Sequence, residues 1–296
     1  MILIAGEALV DVFADGAVRP GGSPYNVAIG LARLGKRVAL ATQISDDANG
    51  RLLRRALERD GVETDYLRRS PRPTPTATIR LEGFGSPTYG FTGLAELEVH
   101  PLRPIGADVA CFHTGSYGIV SKRSSAALLE MFATAPPGVL RSLDPNIRLS
   151  MEPSGGRWRE GVAAFAAHCD LLKVSEEDVR TLFGPDSDVD SIARSWLSER
   201  CALVGLTRGE RGASLFTRGD RIDSRAFPSA LVDTVGAGDA FQAALIAGLT
   251  DRSARASGNF GRELLQGLLD TAVKASALTC ARAGADPPTR SELEAG

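Results

Sequence analysis

The run Val232-Asp233-Thr234-Val235-Gly236-Ala237-Gly238-Asp239-Ala240-Phe241 leads into an apolar stretch, Ala243–Leu249. A Gly-Ala-Gly turn that opens a helix leaves backbone N–H groups uncovered, because no side chain stands in front of them. Those amides, with the helix dipole, make a site for a phosphate or for developing negative charge. Asp239 then falls in the first helical turn, beside that anion site. A carboxylate there repels a phosphate and so does not bind one. It is placed instead to take the proton from a hydroxyl that attacks a phosphate. The plainer alternative is a helix cap, and a Gly-x-Gly before a helix does not by itself separate the two roles.

Two further segments carry groups that hold hydroxyls. Gly21-Gly22-Ser23-Pro24-Tyr25-Asn26-Val27-Ala28 stands where the first helix should begin. Its paired glycines admit a ligand close to the backbone, and Asn26 offers both a donor and an acceptor. Gly6-Glu7-Ala8-Leu9-Val10-Asp11 follows the first strand, and open α/β sheets bind ligands at the carboxyl ends of their strands. A solvated loop aspartate is the plainer reading of Asp11.

Asp233-Thr-x-Gly-Ala-Gly-Asp resembles the C-terminal signature of the ribokinase-like (PfkB) carbohydrate kinases. The resemblance implies that Asp239 is the catalytic base and Gly236, Ala237 and Gly238 the anion hole. Gly-Gly-Ser-Pro-x-Asn-x-Ala, with Gly35 seven residues beyond Ala28, resembles the N-terminal signature, although Ser45 stands where that signature has Gly. It implies a sugar site on Gly22, Asn26 and Asp11. Asp144-Pro145-Asn146-Ile147-Arg148 resembles a fructokinase segment, in which Asn146 and Arg148 would reach the sugar or the moving phosphate. The planar fork of Arg148 suits phosphate.

Lys173-Val174-Ser175-Glu176-Glu177-Asp178 falls where the family carries Asn-x-x-Glu, tied to magnesium and phosphate. Ser175 and Asp178 replace its ends, so magnesium contacts through Asp178 would run through water. Thr207-Arg208-Gly209-Glu210-Arg211-Gly212 resembles the nucleotide loop, although Gly-x-x-Gly before a strand is also an ordinary hairpin turn. The loop Ala281–Ala285, with Gly284, resembles the one bordering adenine and a monovalent cation, potassium, for which Asp233 is the candidate ligand. The resemblance thus implies ATP, Mg2+ and K+ as cofactors.

Positioning these groups requires alternating strands and helices. Apolar runs at Ile2–Ala5, Arg37–Ala41, Asp108–His113, Val139–Asp144, Leu171–Val174 and Ala202–Leu206 read as strands. Helical spacing falls between them: Val27, Leu31 and Leu34 on one face, ended by Gly35, then Lys122–Thr134, Arg157–His168 and Asp188–Arg200. Phe260–Arg282 is also helical by period, and Pro287-Pro288 would end regular structure. The pattern predicts one α/β domain over residues 1–296, a doubly wound and mostly parallel sheet with helices on both faces. Two stretches, about 12–20 and 73–93, break the alternation and read as a small β-sheet lid. Tyr89 and Phe91 on that lid would cover the sugar.

Composition narrows the partners. The chain of 296 residues has a net charge of −2 and no basic block, which argues against nucleic acid or an anionic lipid surface. No apolar stretch approaches the roughly 20 residues of a membrane span. The N-terminus lacks a basic leader, and Cys111, Cys169, Cys201 and Cys280 show no C-x-x-C spacing, so a reduced, cytoplasmic protein is expected. His100, His113 and His168 match no metal motif. Gly30-x4-Gly35-Lys36-Arg37 fails as a P-loop, since Arg37 offers magnesium no hydroxyl and the stretch ends a helix. Gly236-x-Gly238 fails as a dinucleotide fingerprint, with Phe241 where a third glycine belongs.

The expected activity is ATP-dependent phosphorylation of a sugar hydroxyl, D-fructose to fructose 6-phosphate. A 2-keto-3-deoxygluconate kinase, in which Arg148 and Tyr89 would read an acid sugar, a ribokinase or nucleoside kinase, and a non-catalytic sugar sensor are the alternatives. A homodimer through the lid edges is a further expectation.

Overall fold

A computed structural model describes residues 1–80, 88–99, 105–106, 108–251 and 261–295, with the backbone alone at 79, 80, 88 and 89. The chain runs β1 (Ile2–Ala5), β2 (Leu9–Val12), β3 (Val18–Gly21), α1 (Ser23–Arg33), β4 (Val38–Ser45), α2 (Ala48–Arg59) and β5 (Leu67–Ser70). Next come β6 (Thr76–Arg80), β7 (Thr88–Thr92), β8 (Cys111–Gly115), α3 (Ser125–Thr134), β9 (Leu140–Asp144), α4 (Gly155–Ala166) and β10 (Leu171–Ser175). The C-terminal part holds α5 (Glu176–Phe183), α6 (Val189–Ser195), β11 (Leu203–Thr207), β12 (Ala213–Phe216), β13 (Arg221–Ser224), α7 (Ala237–Asp251), α8 (Arg262–Cys280) and α9 (Arg290–Glu294).

The main sheet has nine strands in the order β13-β12-β11-β10-β9-β8-β1-β4-β5. From β5 to β11 every pairing is parallel, while β12 and β13 add an antiparallel edge. Alternation along β1 shows why both faces are covered. Ile2 and Ile4 join one buried cluster, with α1, α2, α7 and α8, while Leu3 and Ala5 join a second, with α3 to α6. That is the period of two expected of a strand buried on both sides. The doubly wound, mostly parallel sheet is therefore as the sequence predicts.

A separate four-stranded sheet has the order β3-β2-β6-β7; β2 precedes the first stretch expected of the lid, β3 runs just past its end, and β6 and β7 fall in the second. Its root is tied to the main body by Asp47. This carboxylate caps α2 through the Gly50 amide (2.7 Å) and accepts from both the amide (2.7 Å) and hydroxyl (2.6 Å) of Thr74. Burial costs the Asp47 carboxylate some hydration, yet these donors hold its pKa below the ordinary 3.8.

Several boundaries differ from the sequence reading. α6 stops at Ser195 rather than Arg200, because the Ser198 hydroxyl takes the amides of Arg200 (3.2 Å) and Cys201 (2.9 Å) and turns the chain. The strand expected over Asp108–His113 begins at Cys111 and continues to Gly115. Pro287-Pro288 does not end regular structure. A capping box between Thr289 and Glu292 starts α9 directly afterwards. The expected turn at the lid tip lies outside the described residues, as does the start of the helix expected from Phe260.

None of the four cysteines forms a disulfide among the described residues, and no described helix is long and apolar enough to cross a membrane. His113 is buried and paired with the Ser142 hydroxyl (2.9 Å). Burial, reinforced by Lys173, pushes its pKa down to about 3, so it is a neutral core residue.

Candidate active site

Gly236 turns into α7 with φ 77, and a Cβ there would lie 2.5 Å from the Cβ of Ala285. Both facts require glycine. The Gly236 carbonyl accepts the Ala240 amide (2.9 Å), so the helix starts within the Gly-Ala-Gly turn and leaves its first amides without intrahelical partners. Asp239 lies in that first turn and is 8% exposed. Its side chain does not merely cap its own helix. Oδ1 accepts the Ser23 hydroxyl (2.6 Å) and Oδ2 the Asn26 amide (2.8 Å), both from the first turn of α1. The two signature segments, more than two hundred residues apart, thus meet on one carboxylate.

The glycine pair completes this corner. Gly22, with φ 103, precedes α1, and a Cβ there would sit 2.8 Å from the Glu7 carbonyl oxygen. At Gly21 a Cβ would overlap the Asp11 carboxylate, which therefore lies flat against that backbone. Burial first, then the charges of Asp239 and Asp233, raise the Asp11 pKa from 3.8 to about 7. Asp11, Gly22, Asn26 and Asp239 are hence brought together.

On the other side of the Gly-Ala-Gly turn lies a group to which the sequence alone gives no role. Lys173, at the middle of β10, is buried, and its ammonium pairs with Asp144 (2.9 Å) at the end of β9. A Cβ on Gly238 would lie 2.8 Å from Lys173 Nζ. Gly238 lacks the positive φ of Gly236, so its constraint is space for that ammonium. Burial opposes the charge on Lys173, but Asp144 and Asp178 outweigh it and hold its pKa above the ordinary value. Asp144, fully buried, is raised to about 6 by desolvation, with Lys173 pulling it back down. The ammonium is thus a fixed positive charge beneath the Gly-Ala-Gly turn. A lone lysine inside an apolar strand, two residues before a helix cap, was the only signal available in sequence.

The remaining predicted residues divide. Arg148 is half-buried and donates to the Ile147 carbonyl (2.8 Å), with no ion pair to a carboxylate among the described residues. Asn146, in the same loop, holds φ 39, a conformation that asparagine tolerates better than most residues. Asp178 is 2% exposed, and its oxygens accept the Ile147 amide (2.7 Å) and the amide (2.9 Å) and hydroxyl (2.6 Å) of Ser175. It is the N3 partner of Ser175 in a capping box and pins the Asn146–Arg148 loop to α5. Direct magnesium ligation does not fit so enclosed a carboxylate.

Ser175, Thr207 and Gly209 line one cavity of about 560 Å³, together with Glu177 and Arg208. Gly212 does not line it. It turns β11 into β12, where a side chain would strike the Ser224 carbonyl. Gly284 lies elsewhere, its amide donating to Asp233 Oδ2 (2.8 Å), while Oδ1 takes the Val235 amide (3.0 Å). Asp233 therefore ties the anion-hole loop to the loop after α8. No cluster of three metal-ligating side chains occurs among the described residues. Tyr89 falls in β7, with only its backbone described. Phe91 is half-buried and packs on the core cluster beneath.

Residues 7–292 match the model of the pfkB family carbohydrate kinases. A fructokinase of Klebsiella pneumoniae is 34% identical over 258 residues, covering 84% of this chain and 84% of the relative. One from Rhizobium leguminosarum bv. trifolii is 32% identical over 261 residues, 84% of this chain and 79% of the relative. Among solved structures, a Vibrio cholerae fructokinase double mutant with fructose, ADP and potassium bound superimposes with a TM-score of 0.83 at 26% identity. The match covers 99% of this chain and 97% of that one. The chain therefore belongs to the pfkB family of carbohydrate kinases and is a sugar kinase.

Proposed function

We propose that the protein transfers the γ-phosphate of ATP to the primary hydroxyl of a neutral ketohexose, D-fructose, giving fructose 6-phosphate and ADP. The observation that carries this reading is the position of Asp239. It stands between the Gly-Ala-Gly turn and the corner formed by Asp11, Gly22 and Asn26.

In this reading the sugar rests on Asp11, Gly22 and Asn26, and its hydroxyl gives its proton to Asp239. The freed oxygen forms a bond to the γ-phosphorus as the bond to the β–γ bridging oxygen breaks, and ADP leaves with those electrons. The amides of Gly236–Gly238, the Lys173 ammonium and the Arg148 guanidinium oppose the negative charge that spreads over the transferring group. ATP would occupy the groove bounded by Ser175, Thr207 and Gly209, running to Gly284. Magnesium, when bound with ATP, would supply further charge neutralisation on the phosphates, and Asp178 is the residue that would serve it, through water. Potassium would sit by Asp233, whose two hydrogen bonds join the loops of Gly236 and Gly284. Such a kinase works in the cytoplasm, where ATP is supplied. β3 and β7 bound the lid sheet, and pairing along one of them is the dimer reading.

The charge around the corner favours a neutral sugar over an acid sugar. Glu7 is fully buried, and neither of its oxygens reaches hydrogen-bond geometry, although the Ser116 hydroxyl and the Ser23 amide lie near enough to act on it electrostatically. Its pKa is raised from 4.5 to about 7, by burial first and also by Asp239. The charges that act on Asp11 are the carboxylates of Asp239 and Asp233, and both raise its pKa. An anionic acceptor would add a charge to this cluster of carboxyl groups, whereas hydroxyls donate to it.

The decisive assay measures ADP release with ATP and magnesium across fructose, 2-keto-3-deoxygluconate, ribose and adenosine. Fructose should give the highest kcat/KM. Preference for the acid sugar would refute the neutral-acceptor reading, and no sugar-dependent release, with fructose bound by calorimetry, would favour a sensor.

Gly238→Ala should lower kcat by about a hundredfold, since its Cβ displaces the ammonium from the anion hole. The KM for fructose should stay within about twofold. A variant with wild-type kcat would remove Lys173 from the account.

Glu7→Gln tests the buried carboxyl through stability. Its folded pKa of about 7 lies above the unfolded 4.5, so the protonated form favours folding. That contribution is complete below about pH 4.5 and is lost as pH rises to about 7, roughly 3 kcal/mol in all. The melting temperature of the glutamine variant, relative to wild type, should therefore rise between pH 4.5 and pH 8. A constant difference would show that Glu7 does not titrate in this window.

A further inference from the structure

The contact between Ser23 and Asp239 lies outside the roles assigned so far, and it rests on the reading of Asp239 as base. Ser23 is the first residue of α1, a position from which a hydroxyl ordinarily serves its own helix. Here it does not. The N-cap is Gly22, no side chain caps α1, and the hydroxyl goes instead to Oδ1 of Asp239. At 2.6 Å the bond lies within the range for a hydroxyl donating to a carboxylate, and Ser23 is only 6% exposed. Water therefore has little access with which to replace it.

Three features make Ser23 a rigid support. Pro24 follows it, with a fixed φ, and the ring packs so closely on Gly6 at the end of β1 that a side chain on Gly6 would overlap it. The Asn26 amide continues the helix by donating to the Gly22 carbonyl (2.9 Å), so the first turn is closed. Ser23 and Asn26 are three residues apart, on one helix face, and each holds a different oxygen of the same carboxylate. A carboxylate held at one oxygen still swings about its terminal torsion, which is broad and roughly two-fold. Held at both, its plane is set. Each oxygen then keeps a lone pair of defined direction, since an ionised carboxylate has about four acceptor sites.

We infer that Ser23 is a positioning residue for the phosphoryl-transfer step, fixing the carboxylate plane of Asp239 so that one oxygen faces the acceptor hydroxyl. It acts through Asp239 and not on the sugar. Its loss therefore misaligns the proton transfer without removing a binding contact. Asn26, by contrast, is shared between the sugar corner and the base, so its removal affects both binding and turnover.

The test is steady-state kinetics with fructose and ATP on wild type, Ser23→Ala, Ser23→Thr and Ser23→Cys. Ser23→Ala should lower kcat by about ten- to a hundredfold, the cost of a misaligned reacting group, with both KM values within about twofold. Ser23→Thr keeps the hydroxyl and should recover most of the lost kcat. Ser23→Cys keeps the volume but donates weakly, and should fall between alanine and wild type. A merely structural serine would show threonine and alanine variants that fail together, or losses that track melting temperature. If the alanine variant does not fold, the cysteine variant decides alone. A kcat within twofold of wild type overturns the inference, and a several-fold fall at unchanged KM supports it. A wild-type protein that phosphorylates no sugar defeats the proposed function. An active wild type with alanine or cysteine variants at full kcat defeats the role of Ser23 alone.

Discussion

Everything in the site depends on one carboxylate held between two helix N-termini. Asp239 stands in the first turn of α7, and both of its oxygens are taken by the first turn of α1. Each helix end contributes partial positive charge, and each follows a glycine of positive φ, Gly236 or Gly22, where a side chain would strike Ala285 or the Glu7 carbonyl. The two helices pack side by side on one face of the sheet, through a core that includes Ala28, Leu31, Ala243 and Ala244. The doubly wound order of strands is what brings residues 23 and 239 to one place.

Around that contact the charges are arranged at a cost to the folded state. Glu7 and Asp11 are carboxyls raised to about 7 by burial and by the charge of Asp239, with no ion pair to either among the described residues. Asp144 and Lys173 form a buried pair, which contributes little to stability on its own account because both partners lose their hydration. Its use lies in placing an ammonium under Gly238, where only a residue without a side chain leaves space. Groups so arranged belong where the chemistry needs fixed charge more than the fold needs stability.

How much of this was legible depended on how local each signal was. The Gly-Ala-Gly-Asp turn and the glycine pair before α1 could be read directly, because a turn that opens a helix is written in consecutive residues. The alternation of strands and helices was legible for the same reason, down to the positive φ of Gly35 after α1. Hidden in sequence were the partners of each group. Nothing around Ser23 or Asp239 shows that they touch, and nothing around Lys173 points to Gly238. The motif at Asp178 implies magnesium reached through water, and its sequence does not reveal that the fold turns both oxygens to the amides of Ser175 and Ile147. Helix α2 is marked in sequence only by Asp47 and the apolar Leu53, Ala56 and Leu57. Its N-cap also serves Thr74, a long-range contact that local pattern does not carry. The hairpin alternative for Gly209–Gly212 is the one sign in sequence of the antiparallel edge, in which β12 turns back along β11.

The central claim is that Asp239 removes the proton and does little else. Replacing it by asparagine keeps the shape and both contacts to α1 within reach, but removes the base. Turnover of Asp239→Asn with fructose and ATP, beside calorimetric binding of each, is the most direct measurement. A loss of turnover of about a thousandfold or more, with both affinities within a few-fold of wild type, is the predicted result. Turnover comparable to wild type would contradict the assignment, and with it the role given to every residue that holds this carboxylate.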